Sequence, residues 1–231
     1  MPRLLSPFAS RGFDSPMAQY TGVARRHGLP FRVDELNSVA CGGKRGVSNA
    51  FASALWALDT LFDLTRLGVS GVNIHMFPGA SYILFSFRRS NGHWVGRIRP
   101  EYYGLLLFAE ATPPGSRLLP VVTRGGPAVR AWATRGARGT IRVVLINDDL
   151  HKRHVFLVHD SAPGGPATVI RLTAPGPYAT AGVRIGEQSF GATSTGRLGA
   201  RPEQEPIGSS RGRYVIRLAP STAAMLTIPA R

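Results

Sequence analysis

Leu29-Pro30-Phe31-Arg32-Val33-Asp34-Glu35-Leu36-Asn37-Ser38 is the stretch on which the reading of this chain turns. Phe31 and Val33 alternate with charged residues, and Cys41-Gly42-Gly43 follows soon after, so the segment reads as a short buried strand entering a loop. Period two puts Phe31, Val33 and Glu35 on one face and Arg32 and Asp34 on the other. Glu35 thus continues an apolar row to the strand's C-terminal end. Behind it, Ser48 reads as an N-cap, and Phe51, Ala54, Leu55, Leu58, Leu61, Phe62 and Thr65 recur at helical spacing up to a stop at Gly68. Gly71-Val72-Asn73-Ile74-His75 then reads as a second strand. Strand, crossover helix and strand form a βαβ unit, which makes the strands parallel and brings Glu35 and His75 to one mouth. In parallel α/β sheets and barrels that mouth is where active sites are built.

Working outward, residues 1 to 28 read as the tail of a helical unit, with a modest helix over Asp14 to Arg26 and a stop at Gly28. After His75 a long irregular passage runs from Met76 to Arg99. A loop of that length after such a strand is more often functional than idle. Pro100 starts another helix, with Tyr103, Leu106, Leu107 and Glu110 at helical spacing, and Pro113-Pro114-Gly115 ends it. From Leu118 the pattern changes to short alternating runs: Val129 to Trp132, Ile141 to Ile146, Val155 to Val158, Thr168 to Leu172, Tyr214 to Leu218 and Ala224 to Ile228. Gly, Pro and Asn-Asp turns separate them, the pattern of an antiparallel β-sandwich. Residues 174 to 212, rich in Gly, Ser, Thr and Pro, read as long loops with one or two edge strands. The fold class is therefore α/β plus all-β, divided at 1–115 and 116–231.

The 231 residues carry a formal charge of +15. Such a charge invites a polyanion, nucleic acid or acidic polysaccharide. The basic residues are nearly all Arg, with Lys44 and Lys152 the only lysines, and they are scattered through a chain rich in Ala, Gly and Pro. A GC-rich genome gives the same bias, and no nucleic-acid-binding motif is evident. Cys41 is the only cysteine, which excludes an internal disulfide and a multi-cysteine metal site. Asn147-Asp148-Asp149 with His151 and His154 reads as a hairpin turn between two sandwich strands rather than a metal site. No metal or other cofactor is expected. No apolar run approaches the roughly 18 residues of a membrane span, and Met1 to Pro7 does not form a signal peptide. The expectation is a soluble, cytoplasmic product as the chain stands, with a longer parent free to be secreted. A complete eight-fold barrel takes roughly 250 residues by itself, so the chain is expected to be part of a larger architecture.

Phe31 to Ser38, Gly42-Gly43, Gly46-Val47-Ser48, Ala54 to Asp59, Gly71 to His75 and Pro100-Glu101-Tyr102-Tyr103-Gly104 together resemble the C-terminal half of glycoside hydrolase family 79. That family comprises retaining β-glucuronidases and heparanase-like enzymes, and the resemblance, nearest to bacterial members, runs from about Leu5 to the end. It implies the last βα units of a (β/α)8 TIM barrel followed by a β-sandwich, with Glu35 at the nucleophile position closing the seventh strand. It also implies that the acid/base Glu belongs to the barrel half without a counterpart here and that Asn37 and Ser38 hold the nucleophile and its loop; His75, at the end of the next strand, is placed to line the sugar site. Gly79-Ala80-Ser81-Tyr82 resembles the segment after strand eight that binds a uronic carboxylate through a tyrosine hydroxyl and backbone N–H groups. It departs from the usual glycine-rich, paired-tyrosine form. Read without the resemblance, Glu35 is equally a solvated strand-end residue, Asn37-Ser38 a turn, His75 a structural histidine and Tyr82 a packed loop residue.

The expected function is that of a C-terminal fragment of a retaining β-glycosidase, with a β-glucuronide or related β-glycoside as substrate. The expected partner is an N-terminal barrel half, with no nucleic acid and no membrane. The alternative is a non-catalytic carbohydrate- or polyanion-binding remnant.

Overall fold

A computed structural model describes residues 1–159, 166–193, 196–198 and 202–230. Two helices open the chain, α1 (Pro7–Arg11) and α2 (Asp14–Arg26), the second with the bounds its sequence predicts. Strand β1 (Arg32–Leu36), helix α3 (Ala52–Arg66) and strand β2 (Gly71–Ile74) follow, and β1 and β2 pair in parallel as a two-stranded sheet. The expected βαβ unit is present.

Its details differ from the expectation in three places. β1 is not a buried strand: Arg32, Asp34 and Glu35 are exposed and only Val33 and Leu36 are half-buried, because no strand covers its second edge among the described residues. Ser48 does not cap α3, which starts at Ala52; its Oγ instead accepts the Lys44 N–H at 3.0 Å and closes the preceding loop. The irregular passage after His75 contains an antiparallel hairpin, β3 (Phe85–Ser90) and β4 (His93–Ile98).

Helix α4 (Pro100–Ala111) starts at its proline and packs along α3. The two backbones approach so closely that a Cβ on Gly104 would lie 2.1 Å from the Ala54 carbonyl oxygen. Ten further strands follow: β5 (Arg117–Leu119), β6 (Val129–Arg135), β7 (Ile141–Asn147), β8 (His154–His159), β9 (Ala167–Thr173), β10 (Arg184–Ile185), β11 (Ala192–Thr193), β12 (Glu205–Ile207), β13 (Arg213–Leu218) and β14 (Thr222–Ile228). Seven form an antiparallel sheet in the order β10-β9-β14-β7-β6-β5, with β12 on β9; β8 and β13 pair separately, and β11 adds to β4. In the 174–212 segment the short strands β10 to β12 lie among loops; residues 194, 195 and 199–201 fall outside the described ones.

Period two divides the large sheet. Trp132, Val144, Met225 and Ile170 are aligned across the strands and face α3 and α4, in a core that includes Leu55, Leu58, Phe62 and Leu107. Ala133, Val143, Leu226 and Val169 face the other way, against Phe156, Tyr214, Ile216 and Leu218 of the β8–β13 pair. Each buried Leu, Ile or Phe contributes about 1.5–3 kcal/mol, so these two cores hold the chain together. Asn147-Asp148-Asp149 is not a hairpin turn, since β7 and β8 lie in different sheets. It is a crossover pinned by Asn147, whose Nδ2 donates to the carbonyls of Lys152 at 2.9 Å and Ala219 at 2.8 Å.

Where α3 meets the sheet, a buried ionic cluster lies inside the apolar layer. The Asp59 carboxylate accepts Trp132 Nε1–H at 2.8 Å and Arg130 Nε–H at 3.3 Å. Burial, and then the Asp59 charge, push the Asp148 carboxyl well above its ordinary value, against Arg130. In α4, Glu101 is only 1% exposed, neither carboxyl oxygen has a hydrogen-bond partner, and burial raises it to about 8.

Candidate active site at the ends of two parallel strands

The geometry starts with an irregularity in β1. Val33 pairs with Val72 and Leu36 with Ile74, so β1 spends one more residue than β2 over the same span. An extra residue of this kind bends a strand and re-aims a side chain. Leu36, not Glu35, therefore continues the apolar row and packs on the core. Glu35 is released, with its side chain 70% exposed.

Glu35 Oε1 lies 3.1 Å from His75 Nδ1, and Tyr82 Oη lies 3.2 Å from the same nitrogen. Tyr82 Oη and His75 Nδ1 form a hydrogen bond whose direction follows the tautomer, and the Glu35 carboxylate stands at ion-pair distance from the same nitrogen. The backbone beneath is tied across the strand ends: His75 N–H donates to the Leu36 carbonyl at 3.2 Å, and Asn37 Nδ2 donates to the His75 carbonyl. Asn37 Oδ1 accepts the Ser38 N–H at 3.0 Å, so both ends of the Asn37 amide are engaged by backbone. The two loops are joined as well, by the Ser81 N–H donating to the Gly42 carbonyl at 2.7 Å.

Tyr82 is 3% exposed although it lies in a loop. Its ring packs against His75 and Phe77, with centroids 5.7 and 5.9 Å away. On the other side it lies against Gly43, where φ is +78° and a Cβ would come 2.8 Å from Tyr82 Cδ1. Glycine is required there for both reasons. Phe77 was not singled out from sequence, and Gly43 was named there only as part of a glycine pair, not as a site residue. The Gly42-Gly43 pair is the signal for Gly43; Phe77, in an aperiodic stretch, has none.

The five residues singled out from sequence, Glu35, Asn37, Ser38, His75 and Tyr82, are thus brought together. A cavity of about 750 Å³ opens beside them, lined by Glu35, Asn37, Ser38, Lys44, Trp56 and Tyr82, with the α1 segment as its far wall. Glu35 is its only acidic lining residue among the described residues. Cys41 lies exposed in the loop above. No group of three or more His, Cys, Asp or Glu side chains arranged to hold a metal occurs among the described residues. No described helix is long and apolar enough to cross a membrane.

A carboxylate beside an imidazole and exposed at the C-terminal end of a parallel strand suits nucleophilic attack or proton transfer. A β-glucuronidase of Neurospora crassa is 31% identical over 134 residues, and one of Aspergillus niger 29% identical over 126. The chain is related in sequence to β-glucuronidases. These matches take in about half of this chain and 23% and 22% of those proteins. A 4-O-α-L-rhamnosyl-β-D-glucuronidase from Fusarium oxysporum, solved with Rha-GlcA, matches 98% of this chain with a TM-score of 0.81 at 20% identity. At that identity the superposition speaks for a shared glycoside hydrolase fold. The chain spans half the length of the Fusarium enzyme. No protein-family model matches it.

Proposed function

We propose that this chain is the C-terminal part of a retaining β-glycosidase of glycoside hydrolase family 79, acting on a β-glucuronide or related β-glycoside. Residues 1–115 would complete a (β/α)8 barrel and residues 116–231 would form its β-sandwich. The observation that carries the reading is the Glu35–His75–Tyr82 group: a strand-end carboxylate, exposed by a bulge and 3.1 Å from an imidazole that Tyr82 engages.

In this reading the Glu35 carboxylate attacks the anomeric carbon as the bond to the leaving oxygen breaks, forming a glycosyl ester. The leaving oxygen takes a proton from an acid roughly 5–5.5 Å from Glu35, and the same group then deprotonates the water that displaces the ester. His75 holds the nucleophile's Oε1 in place, and Tyr82 and Asn37 hold His75. Tyr82 and nearby backbone N–H groups would meet the uronic carboxylate. No second carboxyl group lines the cavity among the described residues, so the acid/base is assigned to a barrel half outside these 231 residues.

A leaving group that needs no proton bypasses that second group. Incubation with 2,4-dinitrophenyl 2-deoxy-2-fluoro-β-D-glucuronide, followed by peptide mass spectrometry, should find the fluorosugar on the Glu35 peptide. It should find none in Glu35→Gln. Labelling elsewhere, or equal dinitrophenolate release by both proteins, would refute the assignment.

A further inference from the structure

We propose that Asp14 and Asp63 share one proton and form a pH-sensitive clasp that holds the start of α2, and with it a wall of the cavity beside Glu35, against α3. Arg66 Nη2 lies 2.7 Å from Asp14 Oδ2 and 2.9 Å from Asp63 Oδ1, and its Nε–H donates to Asp63 Oδ1 at 3.0 Å. The guanidinium thus takes one oxygen of each carboxyl. The other oxygens, Asp14 Oδ1 and Asp63 Oδ2, are buried without a donor, and the two carboxyl groups stand within hydrogen-bond reach of each other. Two carboxylates this close to one counter-charge repel when both ionise, whereas one proton between them satisfies both. The proton rests on Asp63, whose side chain is 1% exposed against 35% for Asp14.

The clasp matters because little else fixes α2. Thr21 is the one buried residue of this helix. Its hydroxyl turns back on the Met17 and Ala18 carbonyls, and Tyr20 and Val23 are exposed. Apart from the shared proton, Arg66 to Asp14 is, among the described residues, the only side-chain hydrogen bond from α2 to another helix or strand. Phe13 and Met17, on either side of Asp14, both line the cavity. Burial, and then Asp14, raise the Asp63 carboxyl to about 7, against Arg66. Those two are the charged groups acting on it, one from each helix; Arg25 of α2 lies further along, beside Gly68. Clasped, Asp63 keeps a proton that it gives up to water in the ordinary carboxylate range once α2 is released. The clasp is therefore full below that range and weakens by up to about tenfold per pH unit as pH rises. It is weakest once pH passes about 7. The inference stands on α2 and α3 and is independent of the glycosidase reading.

The test is hydrogen exchange of the 231-residue protein at pH 5 and pH 8, read by mass spectrometry on peptides from α2 and α3 and corrected for the intrinsic exchange rate at each pH. Protection of α2 should fall at least tenfold from pH 5 to pH 8. At both values α3 should stay better protected than α2, which identifies a local release. Asp63→Asn is neutral at every pH and its amide still donates to Asp14, so α2 should be as protected at pH 8 as at pH 5. Asp14→Asn leaves Asp63 with Arg66 alone and should flatten the pH response as well. Equal α2 protection in the wild type at the two pH values overturns the proposal, as does a wild-type pH response in either variant. Loss of α2 protection in Asp63→Asn at both pH values alike would make Asp63 a plain ion-pair partner and also overturn it. So would α2 and α3 exchanging in step, which is global unfolding.

Discussion

Among the described residues, β1 and β2 stand as a pair with an unpaired edge on each side, while β7, β14 and β9 are paired on both edges and covered on both faces. The candidate chemistry is on the first set and the stability on the second. The lesson is one of separation: Glu35 and His75 are presented by short, half-exposed strands, and Leu36 ties β1 to a core that also contains α3, α4 and one face of the large sheet. Parallel strands are ordinarily buried on both faces. A two-stranded parallel sheet therefore has its support in the helices behind it.

Breaking the buried side of this comparison should have the largest effect. Asp59→Ala strands the Arg130 cation and the Trp132 N–H in the α3–sheet core. A loss of about 3–5 kcal/mol, read from urea unfolding, is expected. Leu226→Ala in the second core should cost roughly 3 kcal/mol. If either variant were as stable as wild type, the sheet would not be the stabilising region.

Glu101 sharpens the comparison through pH. Burial raises it to about 8, so the folded chain keeps a proton that the unfolded chain gives up in the ordinary carboxylate range. Between those two values the folded state binds more protons, and stability falls as pH rises, by about 1.4 kcal/mol per pH unit. Glu101→Gln should flatten that slope and exceed wild type in stability at pH 8. An identical pH profile in both proteins would show that the carboxyl is solvated.

The open side should respond in the opposite sense. Tyr82→Phe removes one hydroxyl contact to His75 and keeps the packing, a stability change of about 1 kcal/mol. Labelling of Glu35 by the fluorosugar should nevertheless slow at least tenfold. Equal labelling rates would detach Tyr82 from the site. The smallest effect is expected at the exposed Arg184–Glu187 pair, where Glu187→Gln should change stability by less than about 0.5 kcal/mol.

Much of the architecture was legible in the sequence. The alternation in Ile141 to Ile146 and Ala224 to Ile228, the helical spacing from Phe51 to Thr65, and Pro100 with Pro113-Pro114-Gly115 mark elements that the structure contains. These signals are local, because a strand or helix buried on one face repeats its apolar residues at its own period. Glu35 and His75 were legible for a related reason, since they lie at the two strand ends that one βαβ unit must bring to the same mouth, whereas Asn37, Ser38 and Tyr82 were picked out through the family resemblance.

Tertiary structure alone decided the rest. The extra residue in β1 that frees Glu35 follows from register against β2, and the shared His75 Nδ1 follows from how two loops pack around Gly43. That β7 hands over to β8 in another sheet, and that Phe87 and Trp94 end on one hairpin face, depends on partner choice between segments. Periodicity states which side of an element is buried. It does not state what buries it, because that is set by pairings between residues far apart in the chain, such as Val33 with Val72 and Asn147 with the Ala219 carbonyl.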